Sequence, residues 1–198
     1  MAAYCAVPPD EPFAGSQAMF TALTAELAGP GAAGLTADEL QELLDERGRE
    51  VLRQLLQDHF DLRAAREDQQ ARRPRVPATG TDGIARTRLE SGHSRLLATV
   101  FGTVRVTRCA WRKPGTANWC PADAALSLPA GRHSHCLAKL AAIEAARGSF
   151  DAAHAAIARR CGPVIGKRQL AESVVRAASD IPAFYAARIP EPCTPARS

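Results

Sequence analysis

The sequence predicts a mainly α-helical protein with one β-hairpin. This is an α+β class in which a long N-terminal helix, the hairpin and a C-terminal helix-turn-helix bundle follow one another. Three observations predict it. Apolar residues recur at three- and four-residue steps in both the first third and the last third of the chain. Between them, around residues 97–106, apolar residues alternate with others at every second position. The composition is 46% hydrophobic but only 5% aromatic. Much of that apolar content is alanine, which favours small helical cores over aromatic-rich sandwiches.

The elements follow in order. Residues 1–15, with Pro8, Pro9, Pro12 and Gly15, read as a disordered lead. A helical region covers 16–71. Ser16 is placed to cap a short helix with Met19, Phe20, Leu23 and Leu27 on one face, ended by Gly29-Pro30-Gly31. Thr36 and Glu39 then make a capping box for a helix that runs to about Ala71. Its apolar residues include Leu40, Leu44, Leu52, Leu55, Leu56 and Phe60. Gly48 costs it only about 1 kcal/mol relative to alanine. Such a helix spans about 50 Å, and so long a stripe needs a covering surface, from the rest of the chain or from a second copy in a homodimer through helix 37–71.

A basic linker, the hairpin and a loop occupy 72–134. Pro74 and Pro77 stop the long helix. Residues 72–86 read as an exposed basic segment with a turn at Gly80-Thr81-Asp82-Gly83. Leu97, Thr99 and Phe101 form one strand, Gly102-Thr103 the turn, and Val104 to Trp111 the second strand. A lone hairpin is unstable in water and must pack on something. A helical domain follows at 135–189. Its helices cover about 135–147, 149–161 (Ser149 as cap, with Phe150, Ala153, Ile157 and Cys161 on one face) and from near Gly166, where Leu170, Val174 and Val175 face the bracing helix. Residues 190–198 read as a disordered tail.

Charge is unevenly spread. The first 46 residues hold eight acids and no lysine or arginine, so residues 47–198 carry all 25 basic residues against 13 acids. That asymmetry points to a polyanionic partner for the later part. No apolar run is long enough to span a membrane, and the N-terminus lacks the charged flank of a secretory signal. Six cysteines, none in a Cys-x-x-Cys pair, suit a reducing cytoplasm.

The chemistry-bearing pattern is a helix-turn-helix, made of helix 149–161, a short turn and a helix from 166. Such a motif braces one helix on another so that the second presents its N-terminal turn to a major groove. Here that turn reads Gly166-Lys167-Arg168-Gln169. Lysine and arginine can bond guanine or phosphate, and glutamine adenine. Arg72, Arg73 and Arg75 in the linker add charge without register. Cys109, Cys120, His133 and His135 do not make a zinc site. The two cysteines have ten residues between them, not the close pair that a zinc site uses. Histidines at a helix entrance suit capping or phosphate contact. Asp58, His59 and Asp61 read as a solvated run, and Cys161 as core. No nucleotide loop and no organised acid–base set is present.

The chain from Arg47 to Pro190 resembles the DDE transposases of the ISKra-four insertion-sequence family, in their high-GC bacterial branch. The resemblance rests on successive segments. These include Arg47-Gly48-Arg49-Glu50, Leu55-Leu56-Gln57-Asp58-His59-Phe60-Asp61, Ala98-Thr99-Val100-Phe101-Gly102-Thr103-Val104, Arg147-Gly148-Ser149-Phe150-Asp151 and Gly166-Lys167-Arg168-Gln169. It implies an N-terminal DNA reader for the element's terminal inverted repeats, in a bacterial, nucleoid-associated setting. In that family an RNase H-like domain follows, whose three carboxylates bind divalent metal such as Mg²⁺. The chain ends at Ser198, where that domain is expected to begin. The resemblance therefore implies a truncated transposase that binds double-stranded DNA, with no catalytic residue, metal ligand or cofactor of its own.

Overall fold

The computed structural model describes residues 11–71, 77–179 and 181–187. Residues 1–10 of the expected lead, the 190–198 tail, and Arg72, Arg73 and Arg75 lie outside them. The fold is mainly helical with two small antiparallel two-stranded sheets, in the expected α+β class. The helices are α1 (Ala14–Ala28), α2 (Pro30–Ala33), α3 (Ala37–Ala71), α4 (Pro121–Ala125), α5 (His135–Arg147), α6 (Phe150–Cys161), α7 (Lys167–Ala177) and α8 (Ile181–Ala187). The strands are β1 (Ala78–Thr79), β2 (Ala85–Arg86), β3 (Arg88–Thr99) and β4 (Gly102–Arg112), which lie between α3 and α4.

Helix α1 starts before Ser16, and Ser16 is not its cap. Ser16 is buried in the first turn, and its amide donates to Asp58 Oδ2 of α3 at 2.8 Å. The first amides of a helix have no partner within it, and a carboxylate from α3 supplies one while meeting the positive end of the helix dipole. Asp58, expected in a solvated run, is therefore only 3% exposed. Gln54 Nε2 holds its other oxygen at 2.7 Å. Gly29-Pro30-Gly31 ends α1 as expected, with Gly29 as its C-cap, and Pro30 opens α2 at a position where its missing N–H costs nothing.

Helix α3 forms as expected, with the Thr36–Glu39 box closed in both directions. Thr36 N donates to Glu39 Oε2 at 2.7 Å, and Glu39 N to Thr36 Oγ1 at 3.3 Å. The Thr36 amide and hydroxyl, both donating to Glu39 Oε2, hold the Glu39 carboxyl below its ordinary range. The apolar stripe is covered only in part. Phe60 is buried and Leu56 partly so, whereas Leu44, Leu52 and Leu55 are 43%, 46% and 40% exposed. The hairpin covers the C-terminal half of α3; Leu44 and Leu52 instead border an open cleft of about 620 Å³ shared with the hairpin tip and α5.

Helix α3 runs along the outer edge of β4. Gln57 uses its side-chain amide as a strand residue would, accepting from Arg105 N at 2.8 Å and donating to Arg105 O at 3.0 Å. Ten residues on, Glu67 Oε2 accepts from Cys109 N at 2.9 Å. The spacing fits, because ten helical residues rise about 15 Å and four strand residues about 13 Å. Burial pushes the Glu67 carboxyl up, against the pull of the Cys109 amide. An exposed edge of backbone donors and acceptors is thereby partly covered.

The hairpin is longer than expected, beginning at Arg88, and its loop falls two residues earlier. Thr99 pairs with Gly102, leaving Val100-Phe101 as the connection. Thr99 Oγ1 accepts from Phe101 N at 3.2 Å and donates to Gly102 O at 2.7 Å, closing the loop with its own side chain. Gly102, at φ 132°, takes a backbone conformation that other residues rarely adopt. A bulge between Glu90 and His93 contains Gly92, at φ 81°. Residues 77–86, expected as exposed linker, form a small hairpin of β1 and β2. Its Arg86 is buried against Asp82 (Nη2 to Oδ2, 2.6 Å) and the Ala117 carbonyl.

Adjacent hairpin residues serve two cores. Leu97 joins Phe60, Val104 and Val106 beneath α3. Ala98 joins the core of α5–α7, made of Leu137, Ala141, Ala153, Ile157, Cys161, Ile165 and Leu170. Its backbone also pairs with the segment entering α5, with Ala98 N to Arg132 O at 2.8 Å and Ser134 N to Ala98 O at 2.9 Å.

Candidate nucleic-acid interface

Helices α5, α6 and α7 pack mutually into a three-helix unit around one apolar core. Serines open the first two. Ser134 Oγ accepts from Leu137 N and Ser149 Oγ from Ala152 N, each at 3.2 Å. Gly162, at φ 75°, closes α6. A five-residue turn leads to α7. It is held by Val164 N to Gly162 O at 2.8 Å and by a bond between His154 Nε2 and Ile165 O at 3.1 Å. Ile165 is buried, so the turn is anchored to the core next to the start of α7.

The inner face of α7 consists of fully buried Leu170, buried Ser173 and partly buried Val174. Val175, expected on that face, is 69% exposed. One residue is 100° of rotation in a helix, and that step carries Val175 from the packed side to the outside. Phe150 on α6, also expected inside, is 41% exposed, while Ala153, Ile157 and Cys161 behind it are buried.

Of the six residues expected to contact DNA, Lys167, Arg168 and Gln169 lie together on the exposed first turn of α7, and Arg72, Arg73 and Arg75 lie outside the described residues. Lys167 pairs with Asp151 at the start of α6. The Arg168 side chain is 92% exposed, with Nε 2.9 Å from Glu172 Oε1. Gln169 accepts from Gly166 N at 3.3 Å through Oε1, closing the helix entrance. That bond changes the role available to it. Bidentate bonding to adenine uses both ends of the amide, and one end is engaged. Both ion pairs are solvent-exposed and worth only about 0–1 kcal/mol, so a phosphate or base edge can displace them at low cost.

Compared with family profiles, curated proteins and solved structures, the chain matches none.

The surroundings add cations that the sequence pattern did not single out. Arg159 and Arg160 lie in the last turn of α6, Arg176 in the last turn of α7, and Arg132 beside α7. All four are exposed, and no ion pair of theirs is found among the described residues. Arg176 lies seven residues after Gln169, two helical turns on, so helical spacing alone could have placed it on the same side. Arg132 had no such signal, since a β-bridge brings it to α7. Cys109, Cys120, His133 and His135 are distributed rather than gathered. Cys109 is buried on β4, Cys120 precedes α4, His133 sits in the Ala98 bridge and His135 opens α5. Burial pushes the Cys120 and Cys161 thiols up.

Proposed function

We propose that the protein binds double-stranded DNA through α7 of the α5–α7 unit, as a reader of inverted-repeat ends, and performs no chemistry of its own. The observation that carries this reading is the first turn of α7. Lys167 and Arg168 project from a helix whose opposite face is locked by fully buried Leu170. The helix N-terminus adds partial positive charge that favours phosphate. The resemblance to ISKra-four transposases and the basic balance after residue 46 support the same reading, with Arg72, Arg73 and Arg75 as further phosphate contacts.

The test is fluorescence anisotropy on inverted-repeat and scrambled duplexes at several salt concentrations. Arg168→Ala is expected to cost about 1–3 kcal/mol on the inverted repeat and to relax specificity there. Lys167→Ala is expected to weaken both duplexes alike and to lower the salt slope by about one. Equal affinity for both duplexes, untouched by Arg168→Ala, would remove α7 as a reader. Incubation with Mg²⁺ or Mn²⁺ and supercoiled DNA tests the second half of the proposal, and nicking that survives repurification would refute it.

One observation favours a second reading, a dimer through α3. Leu44, Leu52 and Leu55 stay exposed along that helix as far as its middle, the kind of apolar stripe that a second copy would cover. Sedimentation equilibrium on the wild type and on Leu52→Glu distinguishes the two. A monomer in both cases excludes the dimer.

A further inference from the structure

We infer that Arg132 and Arg176 form a notch beside α7 that receives one backbone phosphate of the duplex and fixes how far α7 enters the groove; this rests on the proposed DNA reading of α7. A cavity of about 270 Å³ lies between α7 and the segment entering α5, bordered by Gly131, Arg132, His133, Gln169, Glu172 and Arg176. Both arginines are exposed, and neither has an ion pair among the described residues. The carboxylate bordering the notch, Glu172, is engaged by Arg168, and the remaining ionisable residues on its border are Arg132, His133 and Arg176. Guanidinium forks on fixed supports suit phosphate oxygens.

The support is fixed from two sides. Arg95 Nη2 donates to the Pro129 carbonyl and, at 2.9 Å, to the Gly131 carbonyl. The Ala98 backbone holds Arg132 O and Ser134 N. Gly131 lies directly under the Arg176 guanidinium, so that a Cβ there would stand 2.5 Å from Nη1. The absence of a side chain at residue 131 is what lets Arg176 lie in the notch. The spacing also fits a duplex. Arg168 and Arg176 are eight residues apart, about 12 Å along the helix, close to the width of the major groove. With Arg168 among the bases, Arg176 reaches the phosphates at the groove wall.

The test uses the full chain and a short mixed-sequence duplex, because a phosphate contact is blind to sequence. Arg132→Ala and Arg176→Ala are each expected to weaken binding about tenfold and to lower the salt slope by about one. Gly131→Ala keeps every charge and displaces only the far end of a flexible side chain, so it is expected to fold normally and bind several-fold more weakly. A duplex series with one neutral methylphosphonate at each position should contain a site that weakens wild type but not Arg176→Ala. Wild-type affinity in all three variants, alongside weakened binding by Lys167→Ala, would overturn the notch and leave the α7 reading standing. Absence of duplex binding by the wild type itself would overturn both.

Discussion

At the scale of single residues, two carboxylates carry more than their sequence context suggests. Asp58 caps α1 from α3, and its removal leaves the Ser16 amide buried without a partner. Asp58→Ala is expected to lower stability by about 1–3 kcal/mol, read as the midpoint of a urea titration. An unchanged midpoint would mean that water replaces the carboxylate. Asp82 is held well below the ordinary carboxylate value of 3.8 by hydrogen bonds from the Arg86 guanidinium and the Ile84 amide. A depressed folded-state value gives stability that is present above the unfolded value and lost as pH falls. Asp82→Asn should therefore melt below wild type at pH 7, and the gap should narrow as pH drops below 3.8. A gap constant with pH would assign the loss to geometry rather than charge.

At the scale of elements, the long helix separates periodicity from burial. Leu52 and Phe60 belong to one apolar stripe, yet Leu52 is 46% exposed and Phe60 8%. Phe60→Ala is expected to cost about 3–5 kcal/mol and Leu52→Ala under about 1 kcal/mol for a monomer. A large loss for Leu52→Ala that grows with protein concentration would place a second copy on the stripe. The Thr36–Glu39 capping box, the Ser149 cap and the three C-terminal helices were legible because each is decided by residues within one turn, whereas the start of α1 was not. The hairpin loop was not, since Thr99 closes it around Val100-Phe101, two residues before the Gly102-Thr103 pair expected to turn. Asp58, Arg86 and Arg132 were illegible for a common reason. Each takes its role from a partner brought by tertiary contact, 42, 31 or 34 positions away. The first-turn cations of α7 were legible, whereas the inward and outward sides of Phe150 and Val175 depended on which neighbour the helix met.

At the scale of the whole molecule, the hairpin couples the α3 core to the α5–α7 core, because Leu97 and Ala98 are consecutive and belong to different clusters. Unfolding is therefore expected as one transition. Trp111 and Trp119 pair at the hairpin base and report it by fluorescence, while far-UV circular dichroism follows the helices. Leu170→Ala, deep in the α7 core, should lower both midpoints equally, by about 2–5 kcal/mol of stability; two separated midpoints would mean that the cores melt independently. The same arrangement decides where the chain can change length. A single residue inserted between Gly92 and Leu97 would exchange the sides of Leu97 and Ala98, misplacing both at once. A residue added in the Lys113–Asn118 turn would shift neither. Insertions and deletions compatible with folding are thus expected to be absent from the stretch between the bulge and the tip and to accumulate in the turn beyond Arg112.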